Sequence, residues 1–180
     1  MHNQKLIINI FILIILSCIS CRSSNKEQIY LAFYKKEVKQ WALGDKAIKI
    51  SKKFAVKARK EPEFKKFLQN QITKESNHNI RATLYALFHN YNLKPSLMLV
   101  KAMLNDKDLT ICSLGLAYSE RHKYTEVLQD QIYLLSKKES NECFWERKMS
   151  EKQRQEYTQY IRNKAKRILS RNFGDFGIKP

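Results

Sequence analysis

The side chains able to do acid–base or metal chemistry are few in this chain: His2, His78, His89 and His122, with the carboxylates near them. His78 and His89 are spaced to share a face of one predicted helix, but no Cys or carboxylate joins them at metal-ligand spacing. His122 and Glu126 have i, i+4 spacing across a predicted turn. Asp106 and Asp108 have the spacing of a general acid and base, yet a carboxylate in a turn between helices usually caps the next helix, and Asp108 stands where that cap is needed. No Gly-rich phosphate loop, nucleophile elbow or H-E-x-x-H occurs. These patterns predict no catalytic residue, no metal ligand and no cofactor.

Charge is the stronger signal. With 34 Lys and Arg against 17 Asp and Glu, the formal net charge is +17, a value that bears on partners and solubility rather than on fold. The most one-sided stretch holds Lys46, Lys49, Lys52, Lys53, Lys57, Arg59 and Lys60 with no acid among them. A second basic helix near the carboxy terminus carries Lys152, Arg154, Arg162, Lys164, Lys166, Arg167 and Arg171 against Glu151 and Glu156. A mixed charged face is ordinarily just solvated. A face without acids suits an anionic partner, and the residues expected to hold it are Lys46, Lys49, Lys52, Lys53, Lys57, Lys60, Arg162, Lys166 and Arg167. Nucleic acid is disfavoured as that partner, since no aromatic-interleaved strand motif accompanies the charge.

The elements that must position these residues read as all-α. Four glycines and three prolines in 180 residues fit helices joined by short turns better than a β sandwich. A first helix is expected over 27–44, ended by Gly44, with Tyr30, Tyr34, Val38 and Trp41 at helical spacing. Asp45 can cap the next, which buries Ala47, Ile50 or Ser51, Phe54, Ala55 and Ala58. Pro62 opens a third, with Phe64, Phe67, Leu68 and Ile72 inward. Between Asn77 and Lys137 two helical hairpins follow, and a shift of about 29 residues lays Ile80 on Leu109, Leu87 on Leu116 and Met98 on Val127. The partner helix of the first hairpin is expected to start at Pro95, and that of the second at Tyr124. Ser150 and Gln153 form a capping-box pattern before a last helix from Glu151 to about Arg171.

A repeat of this length resembles HEAT-like helical repeats over residues 45–137. Asn105-Asp106-Lys107-Asp108-Leu109 is similar to the turn between such units, and Arg81 after Ile80 matches the family pattern, from which Thr110 departs. The resemblance implies a short α-solenoid: a right-handed stack of antiparallel helical hairpins, closed by an amino-terminal capping helix and a basic carboxy-terminal segment over 138–180.

The first residues read as an address. Lys5 precedes an apolar run from Leu6 to Leu16, shorter than the roughly 20 residues of an ordinary membrane span, and then come Cys18 and Cys21, the pattern of a secretory signal over 1–20 followed by a tether over 21–26. Ile15-Leu16-Ser17-Cys18 resembles a bacterial lipobox. Cys18-Ile19-Ser20-Cys21 matches it at the small residue only, though Cys21 stands where the chain turns hydrophilic. The resemblance implies lipidation of one of the two and an extracytoplasmic domain held on a membrane. Neither Ile19 nor Arg22 is Asp, which favours the outer over the inner membrane. Outside the cytoplasm Cys112 and Cys143 can pair, although Cys112 lies in an apolar helical pattern where a buried thiol is the usual state.

Together these features lead to the expectation of a lipid-anchored binding or scaffolding protein of a bacterial cell envelope. Its partner would be an envelope protein or an anionic surface or polymer. The alternative is an envelope enzyme, or an accessory to one, acting on a cell-envelope polymer.

Overall fold

The computed structural model describes residues 25–39, 47–138 and 150–174, with the side chains of 47–49 excepted. Cys18, Cys21, Gly44, Asp45, Lys46, Cys143 and the tail after Gly174 lie outside these residues, as does the side chain of Lys49. Among the described residues there are eight helices and no strand, so the all-α class read from composition holds. The chain divides into two compact units, Met1–Ile50 and Ser51–Pro180.

In the first unit, helix α1 covers residues 25–39. Tyr30 and Tyr34, one turn apart, are buried, and Ile29 on another side is exposed. Helix α2 spans Ala47–Lys60 and crosses the boundary, so that from Ser51 onward it belongs to the second unit. Its apolar positions recur at three and four residues, and Ile50, Phe54, Ala55 and Ala58 are all buried, as that spacing requires of a helix with one inward stripe.

The second unit continues with α3 (Pro62–Lys74), α4 (His78–Asn90), α5 (Leu97–Leu104), α6 (Leu109–Arg121), α7 (Gln129–Lys137) and α8 (Glu151–Phe173). Short polar caps set most of the starts. Asn77 Oδ1 accepts from Ile80 N–H, Ser96 Oγ from Leu99 N–H and Asp108 Oδ1 from Thr110 N–H, each satisfying one of the donors a helix start leaves over. Pro62 enters α3 at its first turn, where its missing N–H costs nothing. Ser150 and Gln153 make a full capping box for α8.

Two starts fall later than spacing alone predicts. Pro95 is buried just ahead of the Ser96 cap and α5 begins at Leu97. Helix α7 begins at Gln129 rather than at Tyr124. Thr125, the residue with a capping hydroxyl in that stretch, instead directs it at Asn172 Oδ1 of α8 (3.5 Å).

Helices α4 and α6, with the turns that follow them, repeat with a longer period than their apolar residues suggest. From His78 to Leu109 and from Asn90 to Arg121 the displacement is 31 residues, and the turns that follow correspond as well. Asn92 and Lys123 both have positive φ (52° and 58°). Leu93 N–H returns to Phe88 O and Tyr124 N–H to Ser119 O, the same Schellman-type closure in both. The shift of about 29 is therefore corrected to 31. Met98 and Val127, which the shorter shift superposes, are exposed at 80% and 66%.

Packing joins neighbours and next-but-one neighbours. Helix α3 contacts α4 and α5, α4 contacts α6, α5 contacts α6 and α7, and both α6 and α7 contact α8. The core between them includes Phe64, Leu84, Phe88, Val100, Met103, Leu116, Ile132 and Ile161, all buried. Helices α5 and α6 approach closely at Gly115 of α6. A Cβ there would lie 3.1 Å from the Leu104 backbone nitrogen, the Leu104 side chain and Met103 Cβ. A methyl group at Gly115 must therefore move α5, since two of the three neighbours belong to its backbone or to a Cβ. Gly115→Ala is expected to lower stability by about 1 kcal/mol, overpacking outweighing the gain in helix propensity. Urea unfolding tests it through a lower midpoint at unchanged slope; an equal or higher midpoint would show that the helices separate freely.

Candidate functional site

The most connected polar cluster lies where the α3–α4 turn meets the α5–α6 turn. Arg81, in the first turn of α4, donates from Nε to Asp106 Oδ2 (2.9 Å) and from Nη2 to Asp106 Oδ1 (3.2 Å). Its Nη1 reaches Glu75 O at 3.0 Å. Asp106 Oδ1 also accepts Asp108 N–H (2.9 Å), and its carbonyl accepts the Cys112 thiol (3.2 Å) and Lys138 Nζ (3.4 Å). Asp108 caps α6 with one oxygen, and its other lies 2.8 Å from His78 Nε2.

The surroundings set the electrostatics. Burial works against the Arg81 cation, but the Asp106 carboxylate more than offsets it, and the guanidinium is held above its ordinary pKa. Burial, with Asp106 adding to it, pushes the Tyr85 hydroxyl well up. His78, Arg81, Tyr85, Asn105 and Asp106 line an open cleft of about 540 Å³. Little in the His78–Asp108 pair suits it to catalysis, because Nε2 is committed to the carboxylate and Nδ1 is buried. The pair acts as a clasp, and the spacing of Asp106 and Asp108 serves that clasp and the α6 cap. His78 and His89 lie on one helix and have different partners, His78 pairing with Asp108 while the His89 ring meets Tyr118 edge-on (6.1 Å). Among the described residues no group of three or more His, Cys, Asp or Glu converges as a metal site.

Of the nine basic residues singled out from sequence, Lys46 and the side chain of Lys49 lie outside the described residues. Lys52, Lys53, Lys60 and Arg167 are exposed, and Lys166 is half-buried. Two others are drawn into the fold. Lys57 pairs with Glu61 at 2.7 Å and lies over the Phe64 ring. Arg162 donates from Nε to Ser136 O (3.4 Å) at the end of α7. The two basic helices have different supports: α2 meets α3 through Phe54 and Phe64 (6.2 Å), and α8 packs on α6 and α7.

A third basic group escaped the sequence reading. At the end of the second unit where α3, α5 and α7 begin, three segments are latched together. Ser96 N–H donates to Gln69 Oε1 of α3 (2.6 Å), Tyr124 hydroxyl donates to Pro95 O (3.1 Å), and Arg121 Nη2 donates to Asn92 Oδ1 (2.7 Å). Lys65, one turn before Gln69, is half-buried beside this junction, and Lys94 and Arg121 are exposed on it. His122 stacks on Tyr118 (5.9 Å) and neighbours Tyr124 (6.1 Å). Burial, and after it Arg121, Lys94 and Lys65, hold the His122 imidazolium below its usual pKa. Burial and then Lys94 do the same to the Lys65 ammonium. The signal in the sequence was the recurrence of lysine every 29 residues, at Lys65, Lys94 and Lys123, which is weak because lysine is abundant throughout and the repeat itself has a period of 31.

No protein-family model, curated protein or solved structure matches the chain.

Arg81 and Asp106 are expected to behave as one unit. Arg81→Met leaves the buried Asp106 carboxylate without its counter-charge and should cost about 3–5 kcal/mol. Adding Asp106→Asn should restore part of that loss. Losses that simply add in the double variant would show that the two side chains are energetically independent.

Proposed function

We propose that the chain is a lipid-anchored, extracytoplasmic binding protein of a bacterial cell envelope, whose helical hairpins continue as a short HEAT-like solenoid and whose basic surfaces hold an anionic partner. The observation that carries the binding part is the exposure of Lys52, Lys53, Arg59 and Lys60 along one acid-free stretch of α2, with Arg167 and Arg171 exposed on α8. Basic residues near an anionic surface add about 1 kcal/mol each, so a modest number suffices once a lipid holds the domain nearby. The solenoid part draws on the contacts between next-but-one helices from α3 to α8 and on the repeated caps and turns of α4 and α6. The anchor part draws on the sequence around Cys18 and Cys21. No helix among the described residues is long and apolar enough to cross a membrane.

Replacing Cys18 and Cys21 together by Ser should release the protein from the membrane fraction. Retention of the double variant there through its apolar run would sink the lipid anchor.

The basic surface has its own test in flotation with anionic vesicles. Lys52→Gln, Lys53→Gln and Lys60→Gln combined should weaken vesicle binding and flatten its dependence on salt, because fewer screened contacts remain. An unchanged salt profile means this stretch is only solvated.

A further inference from the structure

Like charges crowded into one place call for an explanation, and the latched junction at Lys65, Lys94, Arg121 and His122 has three. Cations at helix carboxy termini are favoured by the helix dipole, and that accounts for Arg59, whose Nη2 reaches Tyr91 O, and for Arg121 in the last turn of α6. It does not account for Lys65, which lies near the amino-terminal end of α3, or for Lys94, which comes shortly before the start of α5. Both stand where the dipole disfavours a cation.

The junction is also built rather than loose. Gln69, Asn92, Pro95, Ser96, Arg121 and Tyr124 bond across it at 2.6 to 3.1 Å, which fixes the spacing of the segments that carry the charges. His122 is held against the Tyr118 ring with an interplanar angle of 18°, so its ring is oriented before anything binds. The charged side chains acting on it are Arg121, Lys94 and Lys65, all cations.

We propose that Lys65, Lys94, Arg121 and His122 form a receptor for a phosphate group. Two lysines supply compact point charges, the arginine a planar donor fork, and the imidazole a ring donor. The site deepens the reading of an anion-binding surface by naming the chemistry of its ligand, either the phosphomonoester of a lipid headgroup or a free phosphate. Bound phosphate favours the imidazolium, so His122 takes up a proton from solvent and titrates at higher pH than in the unliganded protein.

The test follows the His122 ring signals by NMR across pH, using the full chain in zwitterionic detergent with and without inorganic phosphate, and in zwitterionic vesicles with and without phosphatidic acid. An upward move of the His122 titration with phosphate or phosphatidic acid is expected. It should be lost in Lys65→Gln/Lys94→Gln, each substitution weakening binding roughly tenfold. A response to phosphatidic acid alone identifies a headgroup as the source, and a response to inorganic phosphate a soluble ligand. The variant of Lys52, Lys53 and Lys60 keeps the His122 response if the junction is a separate site. A His122 titration that neither ligand moves, or that moves equally without Lys65 and Lys94, overturns the receptor. That result leaves vesicle binding by α2 untouched, so failure of the site and failure of the basic face are told apart.

Discussion

The paired bonds between Arg81 and Asp106 hold more of the second unit together than any other polar contact described. Through Arg81 the α3–α4 turn is fixed to α4, and through Asp106 that turn is fixed to the α5–α6 turn, to α6 by the Cys112 thiol and to the end of α7 by Lys138. A buried ion pair gives little net stability compared with apolar packing of the same volume, but leaving one partner alone is costly. The pair therefore acts less as a source of stability than as a constraint on register. A hairpin that slipped by one turn would bury Asp106 without Arg81. Apolar contacts, being non-directional, impose no such penalty.

This difference explains what could be read from the sequence. The apolar stripes of α2 and α3 were legible because spacing of three and four residues is diagnostic, and Phe54, Ala58, Phe64 and Ile72 are buried where it puts them. The same regularity hid the period of the repeat. Apolar residues recur so often along a helix that a slip of two residues still superposes apolar on apolar, whereas a cap occurs once per helix. Asn77 with Asp108 and Asn92 with Lys123 give the period of 31 without ambiguity. The start of α7 at Gln129 rather than Tyr124 has a related reason: the Thr125 hydroxyl, able to cap a helix, bonds instead to Asn172 of α8, remote in the chain.

Charge was legible in amount and less so in place. The acid-free stretch of α2 is visible because its residues are consecutive. Yet Lys57 turns to Glu61 and Phe64, and Arg162 turns to a backbone carbonyl. Lys65, Lys94 and Arg121 come together only because α3 and α6 both pack on α5, so no local window contains them. Long cationic side chains cover apolar surface as readily as they extend into water, and which they do is decided by neighbours rather than by the helix that carries them.

Lys123 shows where backbone comfort and surface charge part company. Its φ of 58° is one that glycine adopts freely and a side chain with a Cβ resists, at a cost of about 1 kcal/mol. Asn92 fills the equivalent place in the turn after α4 and tolerates that geometry better than lysine does. The second turn is thus the less relaxed of two otherwise matched joints. Under heat or denaturant the turn after α6 therefore has more backbone strain to release than the turn after α4.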